Sequence, residues 1–163
     1  MDDKPSSQSE PIQFTRAREL TPAPEFSQAL RVVLGARQYA VRSREVARVL
    51  PMCTWTPLHG PEGPLGLLEV AGTFYPVMDP RPRLGLKTVD IALEHHLLLI
   101  RAPFSFVLWV DGVEEVFEVA RDQIQRLEVF EGSPVRHLIR HSGETLPLLE
   151  CAYFSPGEFV RPA

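Results

Sequence analysis

Between residues 29 and 154 no apolar stretch is long enough to give a helix a buried face. The chain offers short runs instead: ALRVVL (29–34), QYAV (38–41), GLLEVA (66–71), TFYPVM (73–78), HHLLLI (95–100), FSFVLWV (104–110), VEEVFEV (113–119), VRHLI (135–139) and LPLLECAYF (146–154). Val, Leu, Ile and aromatic residues fill them, and Gly, Pro and Asp separate them, as strands joined by tight turns require. Many short strands without a long amphipathic helix predict an all-β fold. The runs fall into two groups of roughly four to five strands, which predicts two small barrels packed together. Neither group alone buries much apolar surface, so each is expected to complete the other's core.

The punctuation sets local expectations. Gly35-Ala36-Arg37 joins the first two runs as a hairpin. Ser43 is placed to cap a short helical turn over RSREVA, with Val46, Val49 and Leu50 on its apolar face. PMCTWTPLHGPEGPLG (51–66) reads as an exposed loop. GLLEVA and TFYPVM form a hairpin about Gly72, and Pro76, which has no N–H to donate, predicts an edge strand or a bulge. Asp111-Gly112 is the strongest two-residue hairpin signal, matching the type I′ preference. One helical turn is expected within 120–125, and the last two strands turn at 141–144. Residues 1–28, rich in Ser, Pro, Gln and Glu, are expected to form a flexible leader, 29–155 the folded domain and 156–163 a tail.

Charge and composition narrow the function classes. The net charge is -4 and the Arg residues are scattered among Asp and Glu, so there is no clustered cationic face for nucleic acid. MDDKPSSQSEP is acidic with no apolar centre, so no secretory signal is expected. The most apolar stretch, Leu97 to Val110, is cut by Arg101 and Pro103 and falls short of the roughly 20 residues a spanning helix needs. A cytoplasmic protein without membrane insertion is expected. Cys53 and Cys151 lie far apart in apolar settings and are read as buried, reduced thiols.

Candidate chemistry is sparse. His95 and His96 are adjacent on a strand and point to opposite faces, and His137 and His141 have no visible third ligand, so no metal is expected. Glu114 and Glu115 diverge for the same reason and read as a solvated strand face. Gly60, Gly63 and Gly66 lack the strand-to-helix setting of a phosphate loop, and Ser105 and Ser133 lack a glycine elbow. Trp55 and Trp109 read as packing anchors. No catalytic residue and no cofactor is expected.

Three stretches together are more specific. WVDGVEEVFEVARDQI (109–124) resembles the Val-Asp-x-Val-x-x-Val segment of CheW-like chemotaxis coupling domains. GLLEVAGTFYPVMDPR (66–81) is similar to that family's Gly-x-x-Asn-Leu-Arg-Gly-x-x-x-Pro-x-x-Asp-x-Arg segment, with Gly66, Gly72, Pro76, Asp79 and Arg81 in step. LRVVLGARQYAVRSREVARVL (30–50) resembles its opening strands. The resemblance implies two five-stranded SH3-like barrels around a shared core and a non-enzymatic adaptor. That adaptor would join a CheA-type histidine kinase, through its regulatory domain, to the cytoplasmic tips of chemoreceptors, and would be recruited to membrane-associated receptor arrays. Val46, Val49, Leu50, Leu68, Glu69, Ala71 and Gly72 are then candidates for the kinase-facing patch, and Val110, Asp111 and Val113 for a receptor groove. The motif's Asn, Leu and Arg are Glu69, Val70 and Ala71 here, which removes a multi-donor cation and adds a carboxylate. Two alternatives follow: a coupler that binds receptor but not kinase, and, from another class, a small-molecule-binding β-barrel.

Overall fold

Twelve strands make up most of the regular structure in residues 27–60, 63–101 and 104–156, the residues that the computed structural model describes. They are β1 (Gln28–Leu34), β2 (Arg37–Arg42), β3 (Val46–Pro51), β4 (Thr56–Pro57), β5 (Gly66–Val70), β6 (Thr73–Met78), β7 (His96–Ile100), β8 (Phe106–Val110), β9 (Gly112–Glu118), β10 (Ile124–Arg126), β11 (Val135–His141) and β12 (Glu144–Leu149). Most of the expected leader and tail lies outside the described residues.

The strands form two six-stranded sheets. A terminal sheet runs β10-β11-β12-β2-β1-β9, and a central sheet runs β3-β7-β8-β6-β5-β4. Each has one strand more than the expected five, and each includes a very short one, β4 and β10. Both curl on themselves, because residues from at or near the two ends of each strand order share one interior. Leu50 of β3 and Leu68 of β5 pack with Leu97, Leu99, Val107 and Trp109 inside the central sheet. Phe117 of β9 and Ile124 of β10 pack with Ala29, Ile139, Leu146 and Leu148 inside the terminal one.

A third and larger cluster lies between the two barrels. Leu30, Val32 and Leu34 of β1 meet Leu98, Ile100, Phe106, Leu108 and Val110 of β7 and β8 there, with Phe154. β7 and β8 are therefore buried on both faces, which explains why LLLI and FVLW are apolar without alternation.

Sequence order does not divide into the two barrels. β1 and β2 open the chain but join the terminal sheet, and β7 and β8, which sequence grouping places with the C-terminal strands, belong to the central sheet. The chain crosses between barrels after β2 and again after β8. Asp111-Gly112, expected as a hairpin, is the second crossing: β8 and β9 do not pair, and β9 lies antiparallel to β1. Hydrogen bonds of Asp111 to the opposite barrel, described below, hold the chain straight through this point.

Other local expectations change for physical reasons. Ser43 caps nothing; a 3-10 turn covers Ser43–Glu45, and Val46 begins a strand rather than a helical face. Residues 51–66 contain β4, paired with β5, and Trp55 folds onto the central interior. Pro76 sits in an interior strand, but the parallel ladder to β8 begins only at Val77, so the missing N–H falls where that second partner is absent. LPLLECAYF ends as a strand at Leu149, and Cys151–Phe154 form a 3-10 turn whose Cys151 and Phe154 plug the inter-barrel cluster. Both cysteines are free, but Cys53 is exposed. The β5–β6 hairpin itself is as expected, with Ala71 (φ 50°) and Gly72 (φ 87°) supplying the two positive dihedrals of a type I′ turn.

Candidate interaction surface

The Asp-x-Arg and Val-Asp segments converge on the seam between the barrels. β6 ends at Met78, and Asp79 Oδ1 accepts hydrogen bonds from the Arg81 backbone N–H (3.0 Å) and from Arg81 Nη1 (2.8 Å). Arg81 has no exposed surface, and its Nη2 pairs with Asp111 Oδ1. Asp111 Oδ2 accepts from the Gly35 N–H (3.2 Å), while the Asp111 N–H donates to the Val33 carbonyl (2.9 Å). Asp111 thereby ties the β1–β2 turn of one barrel to the Asp79–Arg81 turn of the other. The guanidinium tolerates burial because two carboxylates meet it, and its carbon lies 4.3 Å from the Trp109 ring centroid. Trp109 is fixed in turn, its Nε1 donating to His95 Nδ1 (3.0 Å), which also accepts from the Ala92 N–H (3.2 Å). An imidazole nitrogen that accepts twice carries no proton there.

A second network guards the first crossing. Arg42, at the end of β2, reaches both carboxylate oxygens of Glu150 at 3.1 Å and Glu45 at 3.4 Å. Burial pushes the Glu45 carboxyl above its ordinary range, against the pull of Arg42. Burial likewise lowers His137, whose Nδ1 lies 3.5 Å from Glu150, and raises the Cys151 thiol well above its usual value. That thiol is a core group and not a nucleophile.

Glu114 and Glu115 do not diverge as an unbroken strand predicts. A bulge opposite Arg31 and Val32 shifts the register, and Arg31 Nε meets Glu115 at 3.0 Å and Glu114 at 3.9 Å. Arg31 also binds Glu144 (2.8 Å) and Gln38, and His141 stacks on Phe117 beside them, 4.0 Å between centroids. The group closes one end of the terminal barrel. Among the described residues no cluster of His, Cys, Asp or Glu is arranged to hold a metal.

The candidate kinase-facing residues divide by burial. Leu68 is buried and Leu50 half-buried in the central interior, and Val46 packs on the inter-barrel cluster. Val49, Glu69, Ala71 and Gly72 are exposed. Val49 lies on β3 and the other three on or beside β5, at opposite ends of the strand order. Of the groove candidates, Val110 is fully buried, while Asp111 and Val113 are half-buried at the seam.

Residues 28–156 match the family described as "CheW-like domain". The chain belongs to the CheW-like family. It is similar to a protein named "Chemotaxis protein CheW" from Rhizobium meliloti (strain 1021), 27% identical over 131 residues, spanning 77% of this chain and 84% of that one. A "Probable chemotaxis protein CheW" from Rhizobium etli is 28% identical over 97 residues, 56% of this chain and 61% of that protein. Among solved structures, the scaffolding protein TtCheW from Thermoanaerobacter tengcongensis has the same fold, with a TM-score of 0.69 over 76% of this chain and 88% of that one, at 17% identity.

Within this CheW-like frame, two surface features escape sequence reading. Phe74, inside an apolar run, is 59% exposed on the outer face of β6. A groove of about 670 Å³ opens where β2 and β12 splay, since they pair only at Leu148 and Ala40. Tyr39, Leu84, Leu138 and Pro147 line it, with Arg37 and Glu144. Pro147, which cannot donate to a ladder, was the one available signal for that gap.

Proposed function

We propose that this chain is a non-enzymatic coupling adaptor of a chemotaxis or motility pathway, joining a chemoreceptor's cytoplasmic tip to the regulatory domain of a CheA-type histidine kinase. The observation that carries this reading is the family match across both barrels, residues 28–156. The buried Asp79–Arg81–Asp111 network is consistent with it, because its groups are spent on holding the barrels together. Kinase contact falls to the exposed Val49, Glu69, Ala71 and Gly72, with Val46, Leu50 and Leu68 setting the backbone beneath them. Receptor contact falls to the seam at Asp111 and Val113, over Val110. No helix of the described residues is long and apolar enough to cross a membrane.

A receptor-only coupler is the second reading, favoured by Glu69 and Ala71 standing where the family motif has Asn and Arg. A small-molecule barrel fits less well, because side chains fill both barrel interiors. Calorimetric titration of the full chain against the kinase and a soluble receptor tip, beside Ala71→Arg, separates these readings. Micromolar or tighter binding to both partners supports the coupler. Kinase binding that is seen only with Ala71→Arg assigns the receptor-only role, and no binding to either partner refutes coupling.

A further inference from the structure

Register and strand period decide what the tip of the β5–β6 hairpin presents. Leu68, Val70 and Tyr75 pack in the barrel interior, so Leu67 and Glu69 of β5 and Phe74 and Pro76 of β6 point outward. Leu67 stands opposite Pro76, and Glu69 opposite Phe74. Toward the seam this face is covered: Pro76 is buried and Met78 packs on the inter-barrel cluster. At the tip it is open. Phe74 is 59% exposed, and Glu69 is exposed and enters no ion pair among the described residues. A single exposed apolar residue is ordinary. Here, though, the ring stands directly across the ladder from an unpaired carboxylate, at a two-residue turn that holds both in place.

We propose that this outer face selects the kinase by charge: Phe74 enters an apolar pocket of a regulatory domain whose rim presents Arg or Lys to Glu69. The inference rests on the coupling function above. Charge complementarity identifies the occupant. Asn and Arg in the family motif become Glu69 and Ala71 here, a change from +1 to −1 at the tip. A partner surface matched to that Arg would present a carboxylate and meet like charge, so the adaptor is insulated from such kinases. A buried aromatic anchor acts mainly on dissociation, and a rim charge on association and its salt dependence.

The test titrates the full chain into the full-length CheA-type kinase of the same organism, and separately into a soluble receptor-tip fragment, at low and high salt. Phe74→Ala, Glu69→Gln and Glu69→Arg are compared with Phe130→Ala, an exposed aromatic elsewhere on the molecule. Kinase affinity is expected to fall at least tenfold in Phe74→Ala. A similar loss is expected in Glu69→Arg at low salt, shrinking at high salt, with Glu69→Gln between. Receptor affinity and Phe130→Ala stay within twofold of wild type. Kinase binding unchanged in both Phe74→Ala and Glu69→Arg overturns the proposal while leaving the coupler intact. Receptor binding without kinase binding overturns it in favour of the receptor-only role. Self-association abolished by Phe74→Ala would reassign the face to a second copy. Binding to neither partner removes the coupling function and the proposal together.

Discussion

Replacing Arg81 with Met keeps most of the side-chain length and removes the charge that joins the seam. The native guanidinium is fully buried between Asp79 and Asp111 and lies over Trp109. Removing it leaves two carboxylates without a cation, and breaking a buried pair in this way costs about 3–5 kcal/mol. The Asp79 and Asp111 side chains keep 11% and 23% of their exposure, so water relieves part of the charge, and Met recovers some packing on Trp109. A loss near the lower end, about 3 kcal/mol, is expected. At a urea slope of roughly 1.5–2 kcal/mol/M the unfolding midpoint falls by about 1.5–2 M. Equilibrium unfolding followed by tryptophan fluorescence and by far-UV circular dichroism measures it. Trp109 reports the seam and dichroism the strands, so coincident curves mean the barrels part and unfold in one step. Adding Asp111→Asn to Arg81→Met should recover stability, since much of the cost is the carboxylate left behind. A loss below about 1 kcal/mol, with no such recovery, would refute the latch.

Four further outcomes follow from local structure. A Cβ at Gly66 would lie 2.2 Å from the Thr56 carbonyl oxygen and 2.4 Å from Trp55 Cδ1, so Gly66→Ala should destabilise by at least about 1–3 kcal/mol and shift tryptophan emission. Ala71→Asn places a residue tolerant of positive φ before Gly72 and should stabilise by about 0.5–1 kcal/mol, read as a melting temperature a few degrees higher. Glu45→Gln tests the first crossing by pH. Because the folded carboxyl is raised above 4.5, its stabilising contribution is present in acid and lost as pH rises through the folded value, so the variant's relative stability should grow from pH 4 to 8 in thermal unfolding. His137, lowered from 6.5, acts in the opposite sense: the stability it provides is lost as pH falls below 6.5 through its folded value.

The strands and most of their turns were legible because their signals are local: apolar runs, Gly72 after Ala71, Gly143 after Ser142. Which barrel each strand joins was not. LLLI and FVLW are apolar on both faces wherever they are placed, and only the tertiary fold says that they sit between two barrels. Asp111-Gly112 misled for the same reason: its local preference is a hairpin, but Gly35, Val33 and Arg81 offer Asp111 better partners across the seam. The motif also drew the interaction candidates toward residues such as Val110 and Leu68, whose side chains are buried. Phe74 went unnoticed because its neighbours Tyr75 and Val77 are equally apolar. Exposure depends on which face the register turns outward, and a one-residue slip would have hidden it.

The chain crossings bear on how a CheW-like protein can serve as a coupler. After β2 and after β8 the backbone passes from one barrel to the other, and at each crossing a buried arginine is clamped by two carboxylates. Arg42 is held by Glu45 and Glu150, and Arg81 by Asp79 and Asp111. The apolar cluster between the barrels is larger than either interior. Apolar burial alone is non-directional and would let two rounded barrels rotate against each other at modest cost. Arg42 meets both oxygens of Glu150, and Arg81 gives one nitrogen to each of Asp79 and Asp111; charged hydrogen bonds of this kind fix orientation as well as distance. Only the second spans the seam: Asp111 joins the Gly35 turn of the terminal barrel to Arg81 of the central one, whereas Arg42 and Glu150 both belong to the terminal barrel and Glu45 to the turn that leaves it. An adaptor that works by holding two partners in one relative position needs a fixed orientation between its faces, and the fully buried Arg81 is spent on it.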